Sequence, residues 1–495
     1  MNISARIITA ALAAVAIAGS NAKVVLPSFY SDHMVLQQKA LATVKGKANP
    51  NSTVKFTATW SKTAVTAKAD GQGNFEVKFK VPDASMTAYT LKFTDGDGEK
   101  TLSDVYAGEV WLCSGQSNME MPVMGWGGNY INNPEREAYY AQKYPMIRML
   151  QVAMSAKQNK PADDTQLWKN WEICNTENVK GFSAIGYLFA KELYETLRVP
   201  IGIIQSAYGG ANAEAWVSLE TARTIPELKN DLDTYTKYNF VNDTIQKYAK
   251  RAEQQIPTLL YNTMLYPLHV LPIKGAIWYQ GCANAWGCPY YTKLMNSLIE
   301  NWRSIWGYNF PFYYAQLAGF GKQVTVQPES NYAKLRWDQW KSLSMPRVGM
   351  ATAVDIGNEN DIHPKNKQEI ARRLVLQALN KTYGKKDIVC DAPAPVKCVL
   401  GDGKATLTFN NKIHVRNDSV ACGFILCDAN NKYVEGTAKL ESPTTISVSA
   451  PGLGKITDVR YNWAEYPIGN IYGATNLPVL PFRTDEMDFS NTKRK

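Results

Sequence analysis

Histidine is scarce in this chain, with four in 495 residues. Any chemistry that needs an imidazole must draw on one of those four. Long apolar runs are also missing. Beyond the N-terminal segment no stretch of about twenty apolar residues exists, so no spanning helix and no membrane insertion is expected. The eight cysteines include no C-x-x-C pair, which removes the common zinc and thiol-redox motifs. No cluster of His, Cys and carboxylate has ligand spacing, so neither a metal nor another cofactor is expected. Basic residues outnumber acidic ones, giving a formal charge of +10, but they are scattered and their densest cluster is the terminal Lys493-Arg494-Lys495. That distribution reads as a solvated surface and excludes a nucleic-acid footprint.

What is present is an ordinary globular composition, 45% hydrophobic, long enough for roughly three domains at about 150 residues each. Arg6, the apolar stretch Ile7 to Ile17 and the small residues Ser20-Asn21-Ala22 read as a signal peptide of residues 1–22, cleaved after Ala22. The mature chain is expected to be periplasmic or secreted. Cysteine use fits an oxidising compartment, with the thiols as small buried hydrophobes and one or two disulfides. The close pairs are Cys282/Cys288, Cys390/Cys398 and Cys422/Cys427. Oligomeric state is not legible.

Three regions differ in periodicity. In residues 23–105, Val54, Phe56, Ala58 and Trp60 alternate with polar residues, as do Phe75, Val77, Phe79 and Val81, with Asp/Gly turns between such runs. This predicts a small N-terminal β-sandwich. In residues 106–384 strands alternate with helices, which predicts an α/β domain with a parallel sheet. Its strands are expected at Val110–Leu112, Ile201–Ile204, Ala276–Trp278, Phe312–Gln316 and Val348–Val354. Its helices are expected around Ile185 to Leu193 and over Tyr290–Trp306, Tyr332–Leu343 and Lys367–Tyr383. A charged, helix-prone insertion occupies about 225–258. Residues 385–495 return to β, with alternation at Thr406–Phe409 and Ile446–Ser449.

Four polar motifs follow strands of the middle region: Gly115-Gln116-Ser117-Asn118, Tyr208-Gly209-Gly210-Ala211, Tyr279-Gln280-Gly281-Cys282-Ala283-Asn284 and Asp361-Ile362-His363-Pro364. In a parallel sheet they converge on the edge where such folds bind ligands. Acyl transfer needs a nucleophile, a base and donors for an oxyanion. Ser117 supplies the first, at a strand-to-helix junction. The base follows by elimination. His33 and His414 fall in the β regions, and His269 in the apolar run Leu268–Leu271, leaving His363. Asp361 is the carboxylate beside it, with Glu359 in reserve. The backbone N–H groups of Ser117 and Gly210, and a side-chain amide of Gln280 or Asn284, are the candidate oxyanion donors. Trp278-Tyr279 reads as core rather than as a sugar platform.

Taken together these motifs resemble the SGNH hydrolase superfamily, and within it the bacterial sialate O-acetylesterase-like family. The likeness runs through Asp32-His33-Met34-Val35-Leu36-Gln37, Gly108 to Glu120, Ile277 to Gly281, Asp361 to Lys367, Val459-Arg460-Tyr461 and Pro481 to Asp485. It implies a flavodoxin-like three-layer domain flanked by N-terminal and C-terminal β-sandwich-like modules. It implies removal of O-acetyl groups from sugars through a serine acyl-enzyme, with Ser117 as nucleophile and His363 as base. The expected partner is an acetylated carbohydrate. Two departures stand out. The usual superfamily carboxylate position, three before the histidine, holds Asn360, and the glutamate often found after Gln-Gly is Cys282. The alternatives are an esterase for acetylated xylan or another plant glycan, and a carbohydrate-binding protein without catalysis.

Overall fold

The computed structural model describes residues 24–235, 251–418 and 420–489. The expected signal peptide, the middle of the charged insertion and the basic tail lie outside the described residues.

The N-terminal alternation becomes strands β1 (Val35–Gln37), β2 (Leu41–Lys47), β3 (Thr53–Ala58), β4 (Val65–Lys68), β5 (Asn74–Lys80) and β6 (Tyr89–Thr94). β2 pairs with β5, and β3 with β4 and β6, all antiparallel. The inward residues Val54, Phe56, Phe75, Val77 and Phe79 are all buried. The rings of Phe56 on β3 and Phe79 on β5 stack with centroids 4.1 Å apart, which joins the two strand sets through their apolar sides.

One strand, β7 (Glu99–Gly115), then runs from this region into the middle one. Its first residues pair antiparallel with β6, Tyr106 to Gly108 pair parallel with β1, and Glu109 to Gly115 enter the central sheet. The step from β to α/β periodicity near residue 105 thus falls inside a strand rather than in a linker. The burial pattern shows why. β7 is mostly exposed up to Asp104 and buried without interruption from Val105 onward, as expected of a strand that passes from a wetted face into a sheet covered on both sides.

The central sheet also contains β8 (Ile147–Val152), β9 (Leu167–Ile173), β10 (Ile201–Ala207), β11 (Gly275–Tyr279), β12 (Phe312–Gln316) and β13 (Val348–Thr352), in the order β13-β12-β11-β7-β10-β8-β9. The five strands expected from sequence are present, and their mutual pairings are parallel. The sheet as a whole is mixed, because β9 runs antiparallel to β8 at the edge. Neither β8 nor β9 was anticipated. β8 carries Arg148 and Gln151 within a fully buried strand, and Arg148 is tolerated there because it pairs with Asp104. β9, being an edge strand, keeps an exposed Trp-Lys-Asn stretch that carries little apolar signal.

Four longer helices follow the strands where periodicity placed them. Ser117–Glu120 forms a single turn, α1; α2 is Ala184–Leu197, α3 Tyr291–Trp306, α4 Asn331–Lys341 and α5 Lys367–Lys381. Side chains of Ser183, Ser330 and Asn366 cap α2, α4 and α5 by accepting the N–H three residues on. α2 packs on α5, and α3 on α4.

The C-terminal region forms two four-stranded antiparallel sheets, one containing Lys404–Phe409 beside Thr445–Ser449, the other Phe424–Asp428 beside Ile456–Tyr461. It is tied to the middle region by Arg336. This guanidinium is fully buried and donates to the carbonyls of Leu317, Ala318, Ala464 and Glu465. The expected disulfides are absent: all eight cysteines are free, six of them buried. The six buried ones behave as small apolar residues.

Candidate active site

Chain order changes direction at β7. β8 and β9 lie beyond β10 on one side, and β11, β12 and β13 follow on the other. Such a switch point opens a crevice at the carboxyl ends of the strands. β7 ends there at Gly115, whose φ is +139°. A Cβ at this position would stand 2.2 Å from the Tyr279 carbonyl of β11, so only glycine lets the two strands close together here. Gln116 then donates its N–H to that same carbonyl, and α1 begins at Ser117.

Ser117 is half-buried, and its Oγ is 3.0 Å from His363 Nε2. Asp361 Oδ1 lies 3.3 Å from His363 Nδ1 and also accepts the His363 backbone N–H at 2.9 Å. One carboxylate oxygen therefore shapes the loop and faces the ring. Glu359 is exposed, and its backbone carbonyl accepts from Gly321 N–H. The second group facing Nδ1 is Asn129, whose Nδ2 is 3.4 Å away while its Oδ1 is buried without a partner. Turning that amide end for end would bring the orphaned oxygen to the ring nitrogen, where it could accept the Nδ1 proton. Trp126 sits edge-on to the imidazole at 5.4 Å.

The serine turn and the histidine loop are bolted together by Asn118. Its Nδ2 donates to the Ile362 carbonyl at 3.0 Å, and its Oδ1 accepts from Lys367 Nζ. Lys367 is fully buried, and burial pushes its ammonium down to about 7. The His363 imidazole is likewise held below its ordinary range, first by burial and then by the Lys367 charge, with Asp361 opposing. A lowered imidazole stays neutral, and so able to take a proton, to lower pH. Lys367 lies in the Asp361 to Lys367 motif, but nothing in its spacing reveals that it turns inward.

The Tyr208–Ala211 turn closes on the serine from the β10 side. A Cβ on Gly209 would stand 3.6 Å from that of Ser117. Gly209 donates its N–H to the Glu120 carboxylate, whose proton affinity is raised by burial. Gly210 has φ +72°. Neither its N–H nor that of Ser117 meets an acceptor among the described residues. Open N–H donors of this kind are what a developing oxyanion requires.

The β11 loop is held against the serine turn by Gln116, whose Oε1 accepts from Gly281 N–H at 3.0 Å and Ala283 N–H at 3.3 Å. Gln280 and Asn284 are both buried here. Gln280 Nε2 donates to the Ala211 carbonyl at 3.1 Å and to Asn284 Oδ1 at 2.6 Å, which occupies both of its hydrogens. Asn284 Oδ1 also accepts from Ala213 N–H, and Nδ2 donates to the buried Glu214 at 2.8 Å. Sequence reasoning brought Gln280 and Asn284 to this edge but missed Glu214, which anchors them. Trp278 is fully buried, in keeping with its reading as core, and Cys282 is a buried thiol pushed up to about 11 by burial. The other histidines are elsewhere: His33 pairs with Asp104 at 2.7 Å, and His269 Nδ1 lies against the Tyr266 carbonyl. Among the described residues no group of three or more His, Cys, Asp or Glu could hold a metal ion.

A serine hydroxyl on an imidazole, with open N–H donors at the switch point of an α/β sheet, defines an ester hydrolase. A family model for carbohydrate esterase, sialic acid-specific acetylesterase, matches residues 107–379, and the chain belongs to that family of carbohydrate esterases. It is 28% identical to the sialate O-acetylesterase of Mus musculus, over 92% of this chain and 93% of the relative. It is 29% identical to that of Homo sapiens, over 92% and 91%. Among solved structures it is similar to a carbohydrate acetylesterase from Xanthomonas citri, with a TM-score of 0.81 and 32% identity, covering 94% of this chain and all of the other.

Proposed function

We propose that this esterase removes O-acetyl groups from sugars, sialic acids foremost, through an acyl-enzyme on Ser117. The observation that carries the mechanism is the 3.0 Å contact between Ser117 Oγ and His363 Nε2, with Asp361 at the other ring nitrogen. His363 takes the hydroxyl proton as Oγ attacks the acetyl carbonyl. Asp361 holds Nδ1–H and stabilises the imidazolium that forms. The N–H groups of Ser117 and Gly210 receive the oxyanion. Asn284 is the side-chain donor candidate, and Gln280, its hydrogens spent, serves by fixing Asn284. The imidazolium then protonates the departing sugar oxygen. Water, activated by the same base, releases acetate from Ser117.

The strand order and the two helix pairs support the three-layer arrangement of the SGNH superfamily, and the Phe56–Phe79 contact supports a sandwich at the N-terminal end. Among the described residues no helix is long and apolar enough to cross a membrane. With the N-terminal signal pattern, this supports a periplasmic or secreted enzyme. Acetate release from O-acetylated sialic acids, measured beside acetylated xylan, tests the substrate. A higher kcat/KM on the sialic acids is expected. Faster release from xylan would move the assignment to a plant-glycan esterase, and no release from either, with p-nitrophenyl acetate also left intact, would remove catalysis.

A further inference from the structure

Trp286 follows the β11 loop that Gln116 holds against the serine turn, and its side chain is in solvent. Of the thirteen tryptophans it is the most exposed, at 66%. An indole left in water forgoes a large apolar burial, so its position calls for a reason. A loose loop tip is not that reason. The neighbours Ala285 and Cys288 are buried, Asn284 is locked to Glu214, and Cys288 accepts the N–H of Tyr291 at the start of α3. The chain is pinned on both sides of the tryptophan, and between Ala285 and Cys288 the exposed residues are Trp286 and Gly287.

The indole also has aromatic neighbours. Its centroid is 6.3 Å from that of Tyr332 at the head of α4, and Tyr332 is 6.1 Å from Phe320. The Phe320 loop bridges to Asn358, and Gly321 donates to the Glu359 carbonyl, two residues before Asp361. These contacts link the β11 loop to the segment that carries Asp361 and His363, and because Tyr332 is buried the open face among them is that of Trp286. Trp126 flanks the imidazole as well. The C–H face of a pyranose is the ligand surface that such rings take.

We propose that Trp286 forms a second sugar subsite, stacking against the ring next to the acetylated one, so that the enzyme acts on O-acetylated oligosaccharides in preference to free monosaccharides. This rests on the carbohydrate esterase reading above. Trp286 takes no part in the Ser117–His363–Asp361 contacts, and its exposure makes removal tolerable for the fold.

The test compares Trp286→Ala with wild type on three esters: p-nitrophenyl acetate, 9-O-acetylated free sialic acid, and the same acetylated sugar within sialyllactose. The expected result is unchanged kcat/KM on the first two and a loss of about tenfold, carried by KM, on the trisaccharide. Trp286→Phe should restore most of it. Equal values on all three esters, or equal losses on all three, would overturn the subsite. A fall in molar mass of Trp286→Ala by light scattering would make the ring a contact between copies, and would overturn it too. Failure of the wild-type enzyme on both acetylated sugars, with p-nitrophenyl acetate still cleaved, would count against the substrate proposed above. In that event titration of Ser117→Ala with deacetylated xylotriose, with and without Trp286→Ala, decides the subsite: tighter binding with the tryptophan supports it, and equal binding overturns it.

Discussion

Asp361→Asn separates what the carboxylate does by shape from what it does by charge. In the folded protein one oxygen, Oδ1, both accepts the His363 backbone N–H and faces Nδ1. An amide oxygen can take over both contacts, so loop geometry and ring tautomer are retained and only the negative charge is lost. At 3.3 Å, and with an effective dielectric near 20, two unit charges attract by about 5 kcal/mol. Both side chains are about a quarter exposed, which moves the value towards the roughly 1 kcal/mol of bulk water. About 2–3 kcal/mol of imidazolium stabilisation is then at stake, a fall in kcat of about 30- to 150-fold at about 1.36 kcal/mol per decade. Asn129, also at Nδ1, remains to hold the ring. His363→Ala, which removes the base itself, should cost on the order of 10⁴ or more. Steady-state hydrolysis of p-nitrophenyl acetate, with KM near wild type, is the assay. A kcat within threefold of wild type, or a Glu359→Gln protein crippled while Asp361→Asn is normal, would refute the assignment.

Ser117→Ala should keep the wild-type circular dichroism and melting temperature while acetate release falls by orders of magnitude; near-normal turnover would end the serine mechanism. Lys367→Met removes the ammonium that helps hold His363 low, so the acid limb of kcat/KM should move to higher pH; a limb that stays or moves down contradicts this coupling. Lys367 lies near 7 when folded and near 10.4 when unfolded, so the unfolded chain binds more protons between those values and wild-type stability gains from rising pH across that window. Urea midpoints measured at pH 7 and 10 should show that slope flattened in the variant. Asn284→Ala leaves Glu214 Oε2, one Gln280 hydrogen and the Ala213 N–H without their partner, so about 1–3 kcal/mol of stability should be lost together with kcat, roughly 2.7–4 kcal/mol in barrier if Asn284 also meets the oxyanion; a pure KM effect would make it a substrate contact. Exhaustive chelation should leave activity intact, and loss restored by zinc would reveal a site formed outside the described residues.

Sequence alone determined those features that repeat along the chain or sit next to each other in it. Alternation identified the inward faces of β3 and β5, and helical spacing found α2 to α5, because burial of one face leaves a period in composition. The serine turn and the histidine loop were legible for a similar reason. Each is a short polar stretch that follows an apolar strand, at once for Ser117 and nine residues on for Asp361, and with four histidines elimination reached His363. Tertiary structure decided what depends on which strands become neighbours. β8 hid behind Arg148, whose charge is acceptable only because Asp104, forty-four residues earlier, pairs with it. The step in pattern near residue 105 gave no sign that one strand, β7, runs through it from one region into the next. Lys367 looks like a surface lysine at a helix start until the fold turns it onto Asn118. Gln280 looks like a free donor until Ala211 and Asn284 take its hydrogens. In each case the residue type is local, while its partner, and therefore its solvation and charge, is supplied by a segment that only the folded chain brings near.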